Sequence, residues 1–297
     1  MITHALTIDL EDWHQLVRRR VTGSVEPASA AVVHCTHRLL DLLDATNVRA
    51  TFFVVGLVAE AYPGLVREVA ARGHEIGSHT HNHRLIHSMT PVEFRDEMRG
   101  ARNHLQDLTG QPVLGFRAPE FSVKELGHWC FDVLKEVGFA YDSSVFPAHA
   151  RYGIPTAPRR PFEMQTRFGS LMEFPLATWE LGGQRLAVAG GSYFRVLPAV
   201  LLGRALRALS HDHVPAVLYF HPYEFHDAWL HLAELSPWAL LNPGYAKHVV
   251  LHNLFTSRIT LRLRGLLQRF QFAPLGDLHE RWRSDAQSSR GGPWQPS

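Results

Sequence analysis

The stretch ALTIDLEDWH, residues 5–14, runs from a strand-like apolar segment straight into three acids within four positions, Asp9, Glu11 and Asp12. Carboxylates this close repel one another and raise each other's pKa, so the segment calls for a positive group among them. Outward from it, short apolar runs alternate with helix-period segments. Residues 5–8, 49–55, 75–78, 112–116 and 140–141 read as strands, and 31–46, 63–72, 91–109 and 124–137 as helices. This rhythm predicts an α/β protein with a parallel sheet and helices outside, the sheet open or closed into a barrel. Further on, 148–161 reads as a long ordered loop, 171–175 and 186–189 as strands, and 198–210 as a helix leading into a strand at 216–220. Residues 287–297 read as a disordered tail. No segment reads as a linker, so 1–286 is expected to form one domain.

Composition narrows the function classes. The 297 residues are 45% hydrophobic, enough for a sizeable core, and 30 basic against 28 acidic side chains leave a formal charge of +2. No Lys/Arg run is dense enough to track a nucleic-acid backbone, and Arg18, Arg19 and Arg20 read as a solvated helix end. Cys35 and Cys130 lack any metal-type spacing and read as buried small hydrophobes. No apolar run approaches the roughly 18 residues of a membrane span, and the first residues lack a basic stretch followed by an apolar one. The expectation is a cytoplasmic protein with no transmembrane segment and no nucleic-acid partner. Twenty histidines stand out, several at the ends of apolar strands.

In parallel α/β architectures functional groups collect at the carboxyl ends of strands. That position is held by Asp9, Glu11 and Asp12, by His79 and His83, and by Arg117, Asp142 and His221. GSHTHNH, residues 77–83, sets His79 and His83 four apart, so on a helical turn both imidazoles project from one face. With one carboxylate of the first strand they make a set for a divalent cation, and that cation supplies the charge the acid cluster needs. His81 is expected to face away, and Thr80 is a candidate to bond a ligand or to stabilise the turn. Asp9, first off the strand, reads as the general base. Glu11 and Asp12 compete as the metal ligand: strand alternation puts Glu11 on the face of Asp9, whereas a bulge selects Asp12.

In GFRAPEFS, residues 115–122, Arg117 is placed to pair with Asp9 and keep it ionised, Pro119 stiffens the turn, and the N–H of Phe121 is a candidate oxyanion donor. In LYFHPYEF, residues 218–225, His221 ends a strand and reads as a general acid. Asp142 is a candidate to orient it or to cap the next turn, and Glu224 is a second candidate to orient it. Trp13, Phe121, Tyr193 and Tyr223 suit either stacking on sugar faces or core packing.

These stretches, in this order, resemble the polysaccharide deacetylase family, carbohydrate esterase family 4. Residues 7–12 are similar to its first motif. His79, Thr80 and His83 match its His-Ser/Thr-x-x-His motif, Arg117 and Pro119 its Arg-x-Pro motif, and His221 its late strand-end histidine. NVRATFFVVG, residues 47–56, resembles its second strand. Phrases such as DLEDW, YDSSVFP and LYFHPYE are similar to a subgroup found beside exosortase and exopolysaccharide biosynthesis loci. The resemblance implies a distorted (β/α) barrel with fewer than eight strands and a divalent metal, usually zinc; two imidazoles and a carboxylate also suit cobalt, nickel and iron. It implies an enzyme that removes N-acetyl groups from amino sugars of a polysaccharide or lipid-linked oligosaccharide. Pro119, Phe121 and Tyr223 are the expected substrate-binding residues. Where the family has adjacent acids, Leu10 and Glu11 separate Asp9 from Asp12, and Phe121 replaces a frequent tyrosine. Two rival functions are hydrolysis of a small cyclic amide and sugar binding without turnover.

Overall fold

The computed structural model describes residues 2–23, 27–148, 153–232 and 241–288. The strands are β1 (Thr3–Leu10), β2 (Thr51–Val54), β3 (Glu75–Ser78), β4 (Gly115–Phe116), β5 (Tyr141–Asp142), β6 (Phe162–Thr166), β7 (Gly169–Glu173), β8 (Thr178–Leu181), β9 (Gln184–Ala187), β10 (Val217–Phe220) and β11 (Gln271–Ala273). The helices are α1 (Trp13–Thr22), α2 (Ala31–Thr46), α3 (Gly56–Ala61), α4 (Pro63–Ala71), α5 (Pro91–Thr109), α6 (Cys130–Val137), α7 (Gly191–Val196), α8 (Ala199–His211), α9 (Pro243–Asn253), α10 (Thr256–Leu267) and α11 (Leu275–Ser288).

The main sheet follows the order β10-β1-β2-β3-β4-β5-β7-β6, with β11 joined to β1 off this path. From β10 to β7 every pairing is parallel, and only β6 returns antiparallel to β7. The expected distorted (β/α) barrel is therefore the architecture. Its path holds eight strands where fewer were expected, seven of them parallel. Between β7 and β10 the wall is completed by single bonds: the Ala177 N–H donates to the Val217 carbonyl at 3.1 Å and the Tyr219 N–H to the Ala189 carbonyl at 2.8 Å. Off this path β11 pairs with the start of β1, Thr3–Ala5, and the Leu275 amide donates to Thr51 Oγ1 at 2.7 Å.

Local sequence explains these elements. A strand covered on both faces reads as a continuous apolar run, and seven of the eight β1 residues are buried. In α5 the Thr90–Glu93 capping box and Pro91 start the helix, Phe94, Met98, Ala101 and Leu105 bury one stripe, and Gly110 ends it at φ 68°. The helix expected over 124–137 begins only at Cys130, where the His128 ring accepts the Cys130 amide. Gly127 and this side-chain bond interrupt the pattern that suggested a longer helix. The expected tail lies outside the described residues from 289 onward, and residues 287 and 288 close α11.

Because the strands are parallel, the carboxyl ends of β1, β3, β4 and β10 share one rim. All the strand-end residues singled out from the sequence lie on it, with Asp142 one strand further along.

Candidate active site

Glu11, His79 and His83 converge, offering ligand atoms within 4.8 Å of one another, and all three are buried. Glu11 Oε2 lies 2.8 Å from His83 Nε2 and 3.7 Å from His79 Nε2, and Oε1 lies 3.5 Å from His221 Nε2. The chain turns sharply to present these groups: the Glu11 amide bonds back to the Asp9 carbonyl at 3.0 Å, and Thr80 and His83 hold φ of 63° and 51°. Left-handed backbone at non-glycine residues costs energy and persists where surrounding contacts enforce it, a pattern common at functional sites.

The donor set fits a divalent cation. His79 Nδ1 donates to the Arg117 carbonyl at 2.8 Å, which leaves its Nε2 lone pair facing Glu11, as in metal-binding histidines generally. Burial lowers the His79 pKa to about 4, keeping the ring neutral as a ligand must be. Burial by itself would raise Glu11, but His83, His221 and His79 outweigh it and hold its carboxyl far below the usual range. An ionised, fully buried carboxylate ringed by three imidazoles is a site prepared for positive charge.

Asp12 does not join this cluster. It caps α1 by accepting the Gln15 amide at 2.9 Å, and its two oxygens also take the Ser29 amide and hydroxyl, both at 2.9 Å. Of the two acids competing as ligand, only Glu11 faces the imidazoles; Asp12 is taken up by the α1 cap and Ser29. With no bulge needed, Asp12 becomes the first residue outside the strand and is claimed by the helix that follows.

Asp9 sits beside the cluster and is held by Arg117. The wholly buried guanidinium donates to Asp9 Oδ1 at 2.8 Å, to Thr7 Oγ1 at 2.7 Å, and to the Ser143 carbonyl and hydroxyl at 2.9 Å each. The Phe53 ring lies 4.4 Å beneath it, in space that exists because residue 77 is glycine: a Cβ there would meet the Phe53 ring at 2.6 Å. Arg117 is thus no surface residue, and the expected pairing is present.

His221 closes the opposite side. Its Nε2 lies 4.0 Å from Asp9 Oδ2, and its Nδ1 is 3.6 Å from Glu224 Oε2. Burial would lower its pKa, yet Glu11, Glu224 and Asp9 together hold it up to about 9. Glu224 is fixed in turn by Arg195, whose guanidinium donates to Oε1 at 2.7 Å, and by the His221 amide at 3.1 Å. Gly191 makes room for that carboxylate, since a Cβ there would fall 2.1 Å from Oε2.

Asp142 does not orient His221. It accepts the Ser144 hydroxyl at 2.6 Å and amide at 3.2 Å, so it caps its own turn, and it faces Glu173 across β5 and β7. Burial, then the Asp142 carboxylate, pushes the Glu173 carboxyl far up. The Asp-Ser-Ser sequence holds Arg117 indirectly, through Ser143.

Pro119 is buried and opens a one-turn 3-10 segment, Pro119–Phe121. The Phe121 amide donates to the Ala118 carbonyl at 3.0 Å, so its reading as a free oxyanion donor is corrected; its ring packs edge-on against Tyr219 at 4.8 Å. Tyr223 stacks on His221 at 4.8 Å with its hydroxyl 3.4 Å from Glu11 Oε1. Trp13 is buried and donates to His252, Tyr193 is partly buried against the core, and His81 faces Glu60. Thr80 Oγ1 is buried without a hydrogen-bond partner among the described residues. The arginine run is not merely solvated: Arg19 donates to the carbonyls of Asn82 and His83, the latter at 2.7 Å, and Arg20 pairs with Glu120. Nothing local in the sequence signals Arg19 or Arg195, because their partners lie 29 or more residues away in other elements.

Comparison with known proteins agrees with this geometry. Residues 27–140 match the family model "Polysaccharide deacetylase", and residues 143–280 match a domain of unknown function, DUF3473. A chitooligosaccharide deacetylase of Rhizobium leguminosarum bv. trifolii is 50% identical over 116 residues, 39% of this chain and 50% of that protein. A peptidoglycan-N-acetylglucosamine deacetylase of Bacillus cereus is 34% identical over 90 residues, 30% of this chain and 33% of that protein. The matched segment thus spans a third to a half of these relatives. A crystal structure described as a probable polysaccharide deacetylase from Pseudomonas aeruginosa PAO1 superposes with a TM-score of 0.61 at 17% identity, covering 99% of this chain and 92% of that one, which shows a shared fold. Residues 27–140 are thus similar to polysaccharide deacetylases.

Proposed function

We propose that the protein is a metal-dependent hydrolase that removes N-acetyl groups from the amino sugars of an exopolysaccharide or its lipid-linked precursor. The observation that carries this reading is the meeting of Glu11, His79 and His83 within 4.8 Å, flanked by the Arg117-bound Asp9 on one side and His221 on the other. The named deacetylases among its relatives support the amide-hydrolysing chemistry, and the DUF3473 match is consistent with a distinct subgroup.

Glu11, His79 and His83 would hold the cation, most simply zinc. When bound, the cation supplies Lewis acidity that polarises an amide carbonyl and acidifies water. The chain's own groups do the rest. Asp9, aimed by Arg117, takes the proton from the attacking water. His221 delivers a proton from Nε2 to the departing amine nitrogen, with Glu224, itself held by Arg195, 3.6 Å from Nδ1. The Tyr223 hydroxyl, already turned toward Glu11, donates to charge developing on the carbonyl oxygen, in place of the occupied Phe121 amide.

The test is acetate release from chitooligosaccharides and acetylated polysaccharides by the zinc-loaded protein, by the chelated protein, and by Asp9→Asn and His221→Ala variants. Activity that disappears with chelator and falls at least a hundredfold in both variants is expected. Undiminished turnover by Asp9→Asn, sugar binding with no acetate released, or turnover confined to cyclic amides would contradict the proposal.

A further inference from the structure

The chain as a whole is close to charge balance, but residues 181–211 and 235–276 hold nine Lys or Arg, four in the first and five in the second, and no Asp or Glu. These segments include α7, α8, α9 and α10. Three of the helices are tied together: the Arg195 guanidinium donates to the Leu251 carbonyl, and that of Arg262 to the Phe194 carbonyl. Their inner faces are satisfied, with Tyr245 and Val249 of α9 and Ile259, Leu263 and Leu266 of α10 buried. Their outer faces mix large apolar residues with basic ones, where surface helices ordinarily keep the apolar residues inside.

On α9, Lys247, Val250 and Leu251 succeed one another at helical spacing, Leu254 follows at its C-terminal end, and all are exposed. Phe255, at the entry to α10, is 49% exposed, Leu261 on its outer face 73%, and Val196 at the end of α7 74%. The residues adjoin. Val196 follows Arg195, whose side chain reaches Leu251, and the Arg258 guanidinium sits 4.0 Å from the Phe255 ring centre. Arg264, one turn beyond Leu261, is exposed as well.

We infer that this face docks on an anionic lipid bilayer. Leu251, Leu254, Phe255 and Leu261 enter the interface, while Lys247, Arg258 and Arg264 lie at the headgroup level, the arrangement of interfacial amphipathic helices. Charge decides the occupant. A second copy of this face would bring cations against cations, and a nucleic acid would leave the aliphatic side chains unmatched. No helix among the described residues is long and apolar enough to cross a membrane, so the attachment is to the surface. The same Arg195 that reaches Leu251 also holds Glu224, which places the docking face next to the His221 side of the site.

The test uses the whole protein, chelated so that catalysis plays no part, sedimented with vesicles of phosphatidylcholine alone or with about one-third phosphatidylglycerol. Binding at least about tenfold tighter to the anionic vesicles is expected, weakening as salt is raised from about 0.1 to 0.5 M. The double variant Leu251→Glu/Phe255→Glu loses that binding while its melting temperature stays put, since both side chains are exposed. Arg258→Glu/Arg264→Glu loses it too with the apolar residues intact. Equal binding to both vesicle types, absence of binding, or full binding by the Leu251→Glu/Phe255→Glu protein would overturn the inference. So would a lipid-free dimer that this double variant dissociates, which assigns the face to a second copy of the chain.

Discussion

Replacing Arg117 by methionine removes a guanidinium with no exposure to solvent that satisfies Asp9, Thr7 and Ser143 at once. Methionine keeps the volume over the Phe53 ring, so the cost is electrostatic rather than a cavity. It leaves the Asp9 carboxylate buried without its cation, and breaking a buried pair from one side costs about 3–5 kcal/mol. Against a total stability of roughly 5–15 kcal/mol that is about a fifth or more of the fold's margin. Neutralising Asp9 as well removes the orphaned charge, so Arg117→Met/Asp9→Asn should recover part of the loss. A double-mutant cycle by urea denaturation measures this, with an expected coupling of about 2 kcal/mol or more. Additive effects, with coupling below about 0.5 kcal/mol, would refute the view that Arg117 and Asp9 form a coupled buried pair.

Acid should unfold the protein through His4 and His74, even in chelated samples. In both rings Nδ1 accepts a backbone amide, from Ala216 at 3.0 Å and Ala50 at 3.2 Å, and burial lowers each pKa from 6.5 to about 4. The native state prefers the neutral rings, so their contribution is present above pH 6.5 and is lost as pH falls from 6.5 through 4, by roughly 3 kcal/mol each at most; stability that stays flat across this window would contradict it. Glu224→Gln should cut kcat about 10–100-fold with KM changed little, since Glu224 positions His221 and touches no substrate, and a pure KM effect would count against that role. Asp12→Ala should destabilise the fold by about 1–2 kcal/mol in thermal denaturation through loss of the α1 cap and the Ser29 anchor. An unchanged melting temperature would contradict the cap.

The strands and the ligands at their ends were legible because period and position carry the information. An apolar run ending in acids needs no knowledge of the rest of the chain, and the four-residue spacing of His79 and His83 is local. What could not be read depends on distant partners. Asp12 and Glu11 are chemically alike, and only the arrival of Ser29 and the start of α1 show that Asp12 is spent as a cap. Asp142 looked equal to Glu224 as a partner for His221, but β5 lies four strands from β1 along the sheet while Glu224 is three residues from His221. β11 is three residues long, below the length at which alternation shows, and forms because α10 returns the chain to the start of β1. The helices α9 and α10 mix apolar and basic residues on their exposed faces, which blurs the period that marks an ordinary surface helix.

Everything proposed for the chemistry rests on Glu11, His79 and His83 gripping one divalent cation. Calorimetric titration of zinc into the chelated protein tests this directly, comparing wild type with Glu11→Gln, His83→Ala and Asp12→Asn. The account predicts one tight site per chain, weakened at least about a hundredfold by Glu11→Gln and by His83→Ala and kept within a few fold by Asp12→Asn. Zinc binding lost in Asp12→Asn but retained in Glu11→Gln would contradict it.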